Sequence, residues 1–162
     1  MKTTSCGIFI CNPAGELLMC HATGGSYWDI PKGSGEGAET TLETALRETE
    51  EECGLVFAGS DLLELGRFRY RPAKDLHLYA ALVERLDTTR CHCSTHFRDR
   101  FGRDRPEMDD FAWVSFDQVP QRCAKSMAAL LAGALALPEV AARLAQRAGV
   151  ARPRWRNAAP AG

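Results

Sequence analysis

The chain has 162 residues, 45% of them hydrophobic and 25% charged. That is the size and balance of one globular domain, and it excludes a disordered chain, a collagen-like repeat or a coiled-coil rod. With 20 basic residues against 21 acidic ones and a net charge of -1, a surface built to coat nucleic acid is not expected, and any electrostatic function must come from local clusters. The 7 cysteines are odd in number and follow no regular framework, which points to free thiols in a reducing, cytoplasmic setting. The longest apolar run, Met127–Leu137, falls far short of the roughly 20 residues of a membrane span, so no membrane partner is expected.

In chain order, Ser5–Cys11 and Glu16–His21 predict a β-hairpin around Asn12-Pro13-Ala14-Gly15. Trp28-Asp29-Ile30 predicts a short strand stopped by Pro31. Residues 32–38 carry Gly33, Gly35 and Gly37, a loop whose backbone turns tightly or comes close to something. Thr40-Thr41-Leu42-Glu43 fits a capping box, and Leu42, Ala45, Leu46, Thr49 and Cys53 recur at helical spacing as a buried stripe, with Gly54 ending the helix. Two strands follow, Leu62–Tyr70 and Leu76–Glu84, turning at Arg71-Pro72-Ala73-Lys74. Arg85–Met108 is a long irregular segment rich in Arg and Cys. Phe111–Val114 predicts a strand, Gln121–Ala136 an amphipathic helix, and Pro138 the start of another. The expectation is one domain over residues 1–150 and a flexible basic tail over 151–162, with an α/β (α+β) fold of mixed strands and helices.

The informative stretch is the acidic helix. Glu48, Glu51 and Glu52 stand at i, i+3 and i+4, on one face and opposite the apolar stripe. Glu39 adds a carboxylate just before the helix, and Arg47 is one cation against many. A solvated acidic face is the plain alternative. Converging carboxylates after a Gly-rich loop instead suit a hard divalent cation, which takes oxygen ligands.

Gly33, five residues, Glu39, seven residues and then Arg47-Glu48-Thr49-Glu50-Glu51-Glu52-Cys53-Gly54-Leu55 resembles the Nudix box, G-x5-E-x7-R-E-U-x-E-E-x-G-U with U aliphatic. Thr49, at an aliphatic position, is the one departure. The resemblance implies the Nudix fold, a mixed β-sheet sandwiched between helices with the box as loop–helix–loop. It implies Mg²⁺-dependent hydrolysis of a nucleoside diphosphate derivative, with Mn²⁺ able to substitute. Carried over by position, Glu48, Glu51 and Glu52 would hold the metal together with the Lys32 carbonyl. Arg47 would orient the carboxylates, Glu39 would support the loop, and Gly33 and Gly54 would frame the motif. The general base varies in the family, so Glu52, Glu51 and the distal Glu107 all stand as candidates, Glu107 also as a metal ligand, with Asp109 and Asp110 behind it.

Trp28-Asp29-Ile30-Pro31-Lys32-Gly33 is similar to the W-x-x-P-K-G segment of diadenosine tetraphosphate hydrolases, which favours a dinucleoside polyphosphate or nucleoside triphosphate. ADP-ribose, the 5′ end of RNA and a non-catalytic nucleotide-sensing module are the alternatives. Lys32 is a candidate phosphate contact, and Trp28, Tyr70 and Tyr79 candidate base-stacking residues, with core packing as their plain alternative. Arg67, Arg69 and Arg71 alternate and are expected on one face, where Arg69 could hold remote phosphates. Cys91, His92, Cys93 and His96 suggest a structural metal only weakly, since no second Cys pair accompanies them. The expected partner is a small nucleotide, not nucleic acid, and a homodimer is left open.

Overall fold

The computed structural model describes residues 1–147 and 149–156. The first two apolar runs form β1 (Thr3–Cys11) and β2 (Glu16–Ala22). Their turn is held by Asn12, whose Oδ1 accepts from the backbone N–H groups of Ala14 and Glu16. The hairpin closes only at this end, with Cys11 opposite Leu17. Beyond it β3 (Trp28–Asp29) pairs with β2, and β4 (Lys32–Ser34) pairs with the start of β1. Gly7 makes room for this insertion, since a Cβ there would come 2.6 Å from both the Pro31 carbonyl oxygen and the Lys32 Cβ. The wedge opens the hairpin and delivers Lys32-Gly33 to the following helix.

That helix is α1 (Thr41–Cys53). Thr40 caps it: its hydroxyl accepts from the Glu43 N–H, and the Glu43 carboxylate accepts from the Thr40 N–H. Gly54 ends it with φ +80°, the left-handed turn that glycine takes without strain. The buried face comprises Thr44, Ala45, Thr49, Glu52 and Cys53, whereas Leu42 and Leu46 only flank the core. The expected separation of acidic and buried faces therefore fails at Glu52. The Thr49 hydroxyl donates to the Ala45 carbonyl at 2.8 Å, which satisfies the polar atom in its buried place.

After β5 (Leu55–Val56) come β6 (Leu63–Arg71) and β7 (Lys74–Leu82). β7 runs parallel to the whole of β1. The segment expected to be irregular holds a 3-10 turn at Thr88–Arg90 and a separate hairpin of β8 (His96–Arg98) and β9 (Asp104–Pro106). Its charged residues fall on both faces and hide the strand period. β10 (Met108–Ser115) closes the sheet beside β2, giving the order β10-β2-β1-β7-β6.

The helix expected over 121–136 is two helices, α2 (Val119–Arg122) and α3 (Lys125–Ala132), broken where Cys123 turns extended. α4 (Leu137–Ala145) follows, with Pro138 in its first turn. The tail expected from residue 151 differs in its first part: Ala151 bridges Val83, and β11 (Arg154–Trp155) pairs with β5. Residues 157–162 lie outside the described residues.

Alternation along the strands sorts the core into two layers. Phe9, Leu17, Met19, Leu76 and Leu78 face Met127, Val140 and Leu144 of α3 and α4. Ile8, Ile10, Leu18, Tyr79 and Ala81 face Ala45 and Cys53 of α1. The result is the mixed sheet between helices that the sequence resemblance implies. Among the described residues no single helix is long and apolar enough to cross a membrane.

Candidate active site

Arg47 organises the acidic helix. Its Nε donates to Glu39 Oε2 at 2.7 Å and its Nη2 to Glu39 Oε1 at 3.0 Å. Nη1 donates to Glu48 at 3.1 Å and to Glu51 at 3.0 Å, and Nη2 also reaches the Ser34 carbonyl. One planar guanidinium thus ties the glycine loop to two helix carboxylates. Hydrogen bonds from Arg47, then from the Glu36 N–H, hold the Glu39 carboxyl down at about 2. The same pairing with Glu39 raises Arg47 further above its usual range.

Glu52 lies deeper and away from Arg47. Its residue is 5% exposed, and its Oε2 accepts from the Lys32 backbone N–H at 3.0 Å. Burial pushes its carboxyl up to about 9, partly offset by that hydrogen bond, with Glu48 adding repulsion. Burial also raises Glu48 against the pull of Arg47, with further repulsion from Glu51 and Glu107. The Glu48 carboxyl rests on the bare Cα of Gly33, where a Cβ would come within 2.2 Å of it.

Among the described residues no group of three or more His, Cys, Asp or Glu side chains is gathered as a ready coordination shell. The residues nonetheless fit a hard cation. The Glu48 and Glu52 carboxyl groups are desolvated enough to resist ionisation, their donors are all oxygen, and the bare Gly33 leaves the room that the Glu48 carboxyl takes and a Cβ would block. A divalent cation would supply the charge that makes their ionised state favourable. The Cys91, His92, Cys93 and His96 group does not converge: Cys91 is buried, and His96 Nδ1 pairs with Asp104 at 2.8 Å.

Glu107 approaches from the other side. Its N–H donates to the Thr95 carbonyl at 2.9 Å, and Thr95 Oγ1 donates to its Oε2 at 3.2 Å. It is close enough to raise Glu48. Asp109 is held elsewhere, 2.6 Å from the His21 ring, and Asp110 lines a pocket with Trp28 and His21.

Trp28 is half-buried against the core, its ring 5.2 Å from that of His21. The Lys32 ammonium is 3.0 Å from Asp29. Burial pulls Lys32 down, but Asp29 more than offsets this and leaves it raised. Its ammonium is already paired with Asp29, and its backbone N–H is what meets Glu52.

Arg69 and Tyr70 alternate to opposite faces of β6, so they form no common subsite. The expected Arg67, Arg69 and Arg71 row is broken by a register shift after Arg69. The Arg71 guanidinium lies 4.9 Å over the Tyr70 ring instead. Tyr79 is buried under α1, its hydroxyl 2.8 Å from Thr41 Oγ1. It anchors the helix and does not present a stacking face.

Sequence reasoning missed the strap that closes the far end of α1. The N–H groups of His92 and Ser94 donate to the carbonyls of Cys53 and Glu51, and the Arg156 N–H donates to that of Gly54. Arg156 also reaches Ser94 Oγ and, at 3.8 Å, Glu50. The end of a helix bears partial negative charge and unpaired carbonyls, and α1 has no basic residue in its last turn. The strap supplies the donors. Any residue but proline has the N–H it uses, so spacing carries no signal for it.

A mixed sheet with a carboxylate-bearing loop–helix–loop is the fold and site of a hydrolase acting on phosphorus anhydrides. Residues 1–133 match the model of the NUDIX domain, and the chain belongs to the Nudix family, as a pyrophosphohydrolase. It is 39% identical over 125 residues to an uncharacterized 17.7 kDa protein of Enterobacteria phage T4, covering 70% of this chain and 83% of that one. It is 31% identical over 124 residues to an RNA pyrophosphohydrolase of Tolumonas auensis, covering 68% of each. Among solved structures it resembles an Ap4A hydrolase of C. elegans, with a TM-score of 0.59 at 20% identity, over 88% of this chain and 99% of that one. It also resembles the NUDIX domain of Shewanella oneidensis NrtR complexed with ADP ribose, with a TM-score of 0.63 at 13% identity, over 88% and 89%. At those identities the likeness is one of fold. Nudix hydrolases generally use divalent metals.

Proposed function

We propose that this protein is a Mg²⁺-dependent pyrophosphohydrolase that cleaves a diphosphate linkage in a dinucleoside polyphosphate. The observation that carries the reading is the placement of Glu52, almost fully buried yet hydrogen-bonded to the backbone beside Gly33, with Glu48 filling the glycine cradle. Glu48, Glu51, Glu52 and the Lys32 carbonyl would hold the cation. When bound, it neutralises the diphosphate and acidifies an attacking water. Arg47 keeps Glu48 and Glu51 in register with the loop through Glu39. Glu107, exposed and fixed by Thr95, accepts the proton of the attacking water.

The Pro31-Lys32-Gly33 segment supports a dinucleoside polyphosphate. The relatives named RNA pyrophosphohydrolase, one of them 31% identical, favour the 5′ end of RNA as a second reading. The test is turnover by purified protein of diadenosine tetraphosphate, 5′-triphosphorylated RNA, ADP-ribose and dGTP, with and without Mg²⁺. Cation-dependent release of a mononucleotide, fastest from diadenosine tetraphosphate, is expected. No turnover of any of the four, or a Glu52→Gln variant as active as the parent, overturns the reading.

A further inference from the structure

The β8–β9 hairpin springs from the active site but belongs to no other part of the sheet. Its base is the mutual hydrogen bonding of Thr95 and Glu107, and the Thr23 N–H donates to the Glu107 carbonyl at 3.0 Å. Arg105 stands two residues from Glu107, about 7 Å along extended chain. Whatever lies beside Glu107 therefore has this hairpin as its neighbour.

The composition of the hairpin is unusual for a solvent loop. Phe101 is 68% exposed and Phe97 38%, two of the four large apolar residues exposed among those described. Residues 96–106 carry four Arg and two Asp, and both acids are engaged within the hairpin. Asp99 Oδ1 accepts the N–H groups of Phe101 and Arg103, and its other oxygen is 3.7 Å from Arg105. Asp104 pairs with His96. Arg100 and Arg103 instead lie 4.9 and 5.7 Å over the Phe101 ring. The tip is thus an aromatic face dressed with guanidinium groups. Between the hairpin and the turn at Thr23-Gly24 runs a pocket lined by Phe97, Arg100, Phe101 and Arg105. Thr23 forms part of its wall, with the hydroxyl turned inward and buried. A hairpin of three residue pairs is marginal in water unless something packs on it.

We infer that this hairpin is a subsite for a second nucleoside and its adjoining phosphate, the base stacking at Phe101 and the phosphate taken by Arg100 and Arg103. The chemistry is that of bases on aromatic and guanidinium planes, with phosphate on arginine. A mononucleotide has no second base to offer. A dinucleoside polyphosphate or the 5′ end of RNA has one. The inference rests on the pyrophosphohydrolase reading of the same site.

The experiment compares kcat/KM for diadenosine tetraphosphate and for a 5′-triphosphorylated RNA dinucleotide, each as a ratio to ATP, in the parent, Phe101→Ala and the Arg100→Ala/Arg103→Ala double variant. The exposure of these side chains leaves the fold intact, which thermal melting checks. A fall of about tenfold in either ratio, the scale of one lost base–aromatic stack, is expected, and the substrate whose ratio falls names the source of the second nucleoside. Trypsin gives a second readout on the Glu52→Gln variant. Diadenosine tetraphosphate or the RNA dinucleotide should slow cleavage at the hairpin arginines more than ATP does. Turnover with both ratios unchanged and no added protection overturns the subsite alone. No turnover of any of these substrates by the parent overturns the enzymatic reading and the subsite with it.

Discussion

At the scale of single residues, Glu52 and Arg47 set opposite demands. Glu52 keeps its proton in the folded protein up to about 9 because burial disfavours the anion, whereas in the unfolded chain it ionises near the usual 4.5. A carboxyl raised by folding binds its proton more tightly when folded, so its stabilising contribution is full below the unfolded value and lost as pH rises through the folded one. The metal-free protein should therefore lose thermal stability between pH 5 and 9. Glu52→Gln should flatten that slope, and Mg²⁺ should do the same for the parent. Melting curves across this range, with and without the cation, check it; a parent slope unchanged by either is the contrary result. Arg47 is different, because its worth lies in shape. Lysine has the charge but not the fork that spans Glu39, Glu48 and Glu51. Arg47→Lys is expected to lower kcat roughly 10²-fold, the scale of a lost orienting contact, while KM changes little. A loss seen in KM alone would place Arg47 in substrate binding.

At the scale of elements, the loop–helix–loop is a close fit between glycines and side chains. Gly33→Ala would drive a Cβ into the Glu48 carboxyl and displace it from Arg47. Activity should fall below detection while the far-UV spectrum is retained. Gly54→Ala should act through stability, since φ is +80° and the new Cβ would come 2.7 Å from the His92 ring. A loss of about 1–3 kcal/mol is expected by chemical denaturation.

These same elements show why some of the site was legible in the sequence. The caps, the glycines and the charges of α1 act through side chains at fixed spacing, so Thr40, Glu43, Gly54 and the carboxylates could be placed from the chain alone. The inward turn of Glu52 could not, because periodicity sorts apolar residues and takes a charge as solvated. Tyr79 could not be told from a base-stacking residue, since alternation gives two faces without saying which lies under a helix. The row of Arg67, Arg69 and Arg71 failed at a register shift, which leaves no mark in the pattern. β8 and β9 escaped because charge on both faces erases the period of two.

At the scale of the whole molecule, α1 is gripped by segments far apart in the chain. Its start leans on the loop drawn in by β1, and its end is held by the strap at residues 92–94 and by residues 154–156. Trp155 joins Leu55 through β11 and β5, and the Arg90 guanidinium lies 4.8 Å over its ring. Arg156 then closes on Gly54, Ser94 and Glu50. Among the described residues this clamp makes no hydrogen bond or ion pair with the carboxylates facing Gly33, yet Ser94 fixes the Glu51 carbonyl, and the next residue, Thr95, fixes Glu107. Loosening the clamp should misplace Glu51 and Glu107 together. Trp155→Ala, at a half-buried site, should cost about 2 kcal/mol, or roughly 4–8 °C in Tm for a chain of this size. It should also lower kcat well below the transition. Ending the chain after Pro153 should do the same more strongly, because it removes Arg156 as well. The decisive comparison is Arg156→Lys with Arg156→Ala at equal Tm, matched by temperature. A lysine that restores stability but not kcat shows that the guanidinium, through Ser94, sets the distance between Glu51 and Glu107. Parental kcat in both variants, once each is assayed equally far below its own Tm, would reduce the clamp to a purely structural brace.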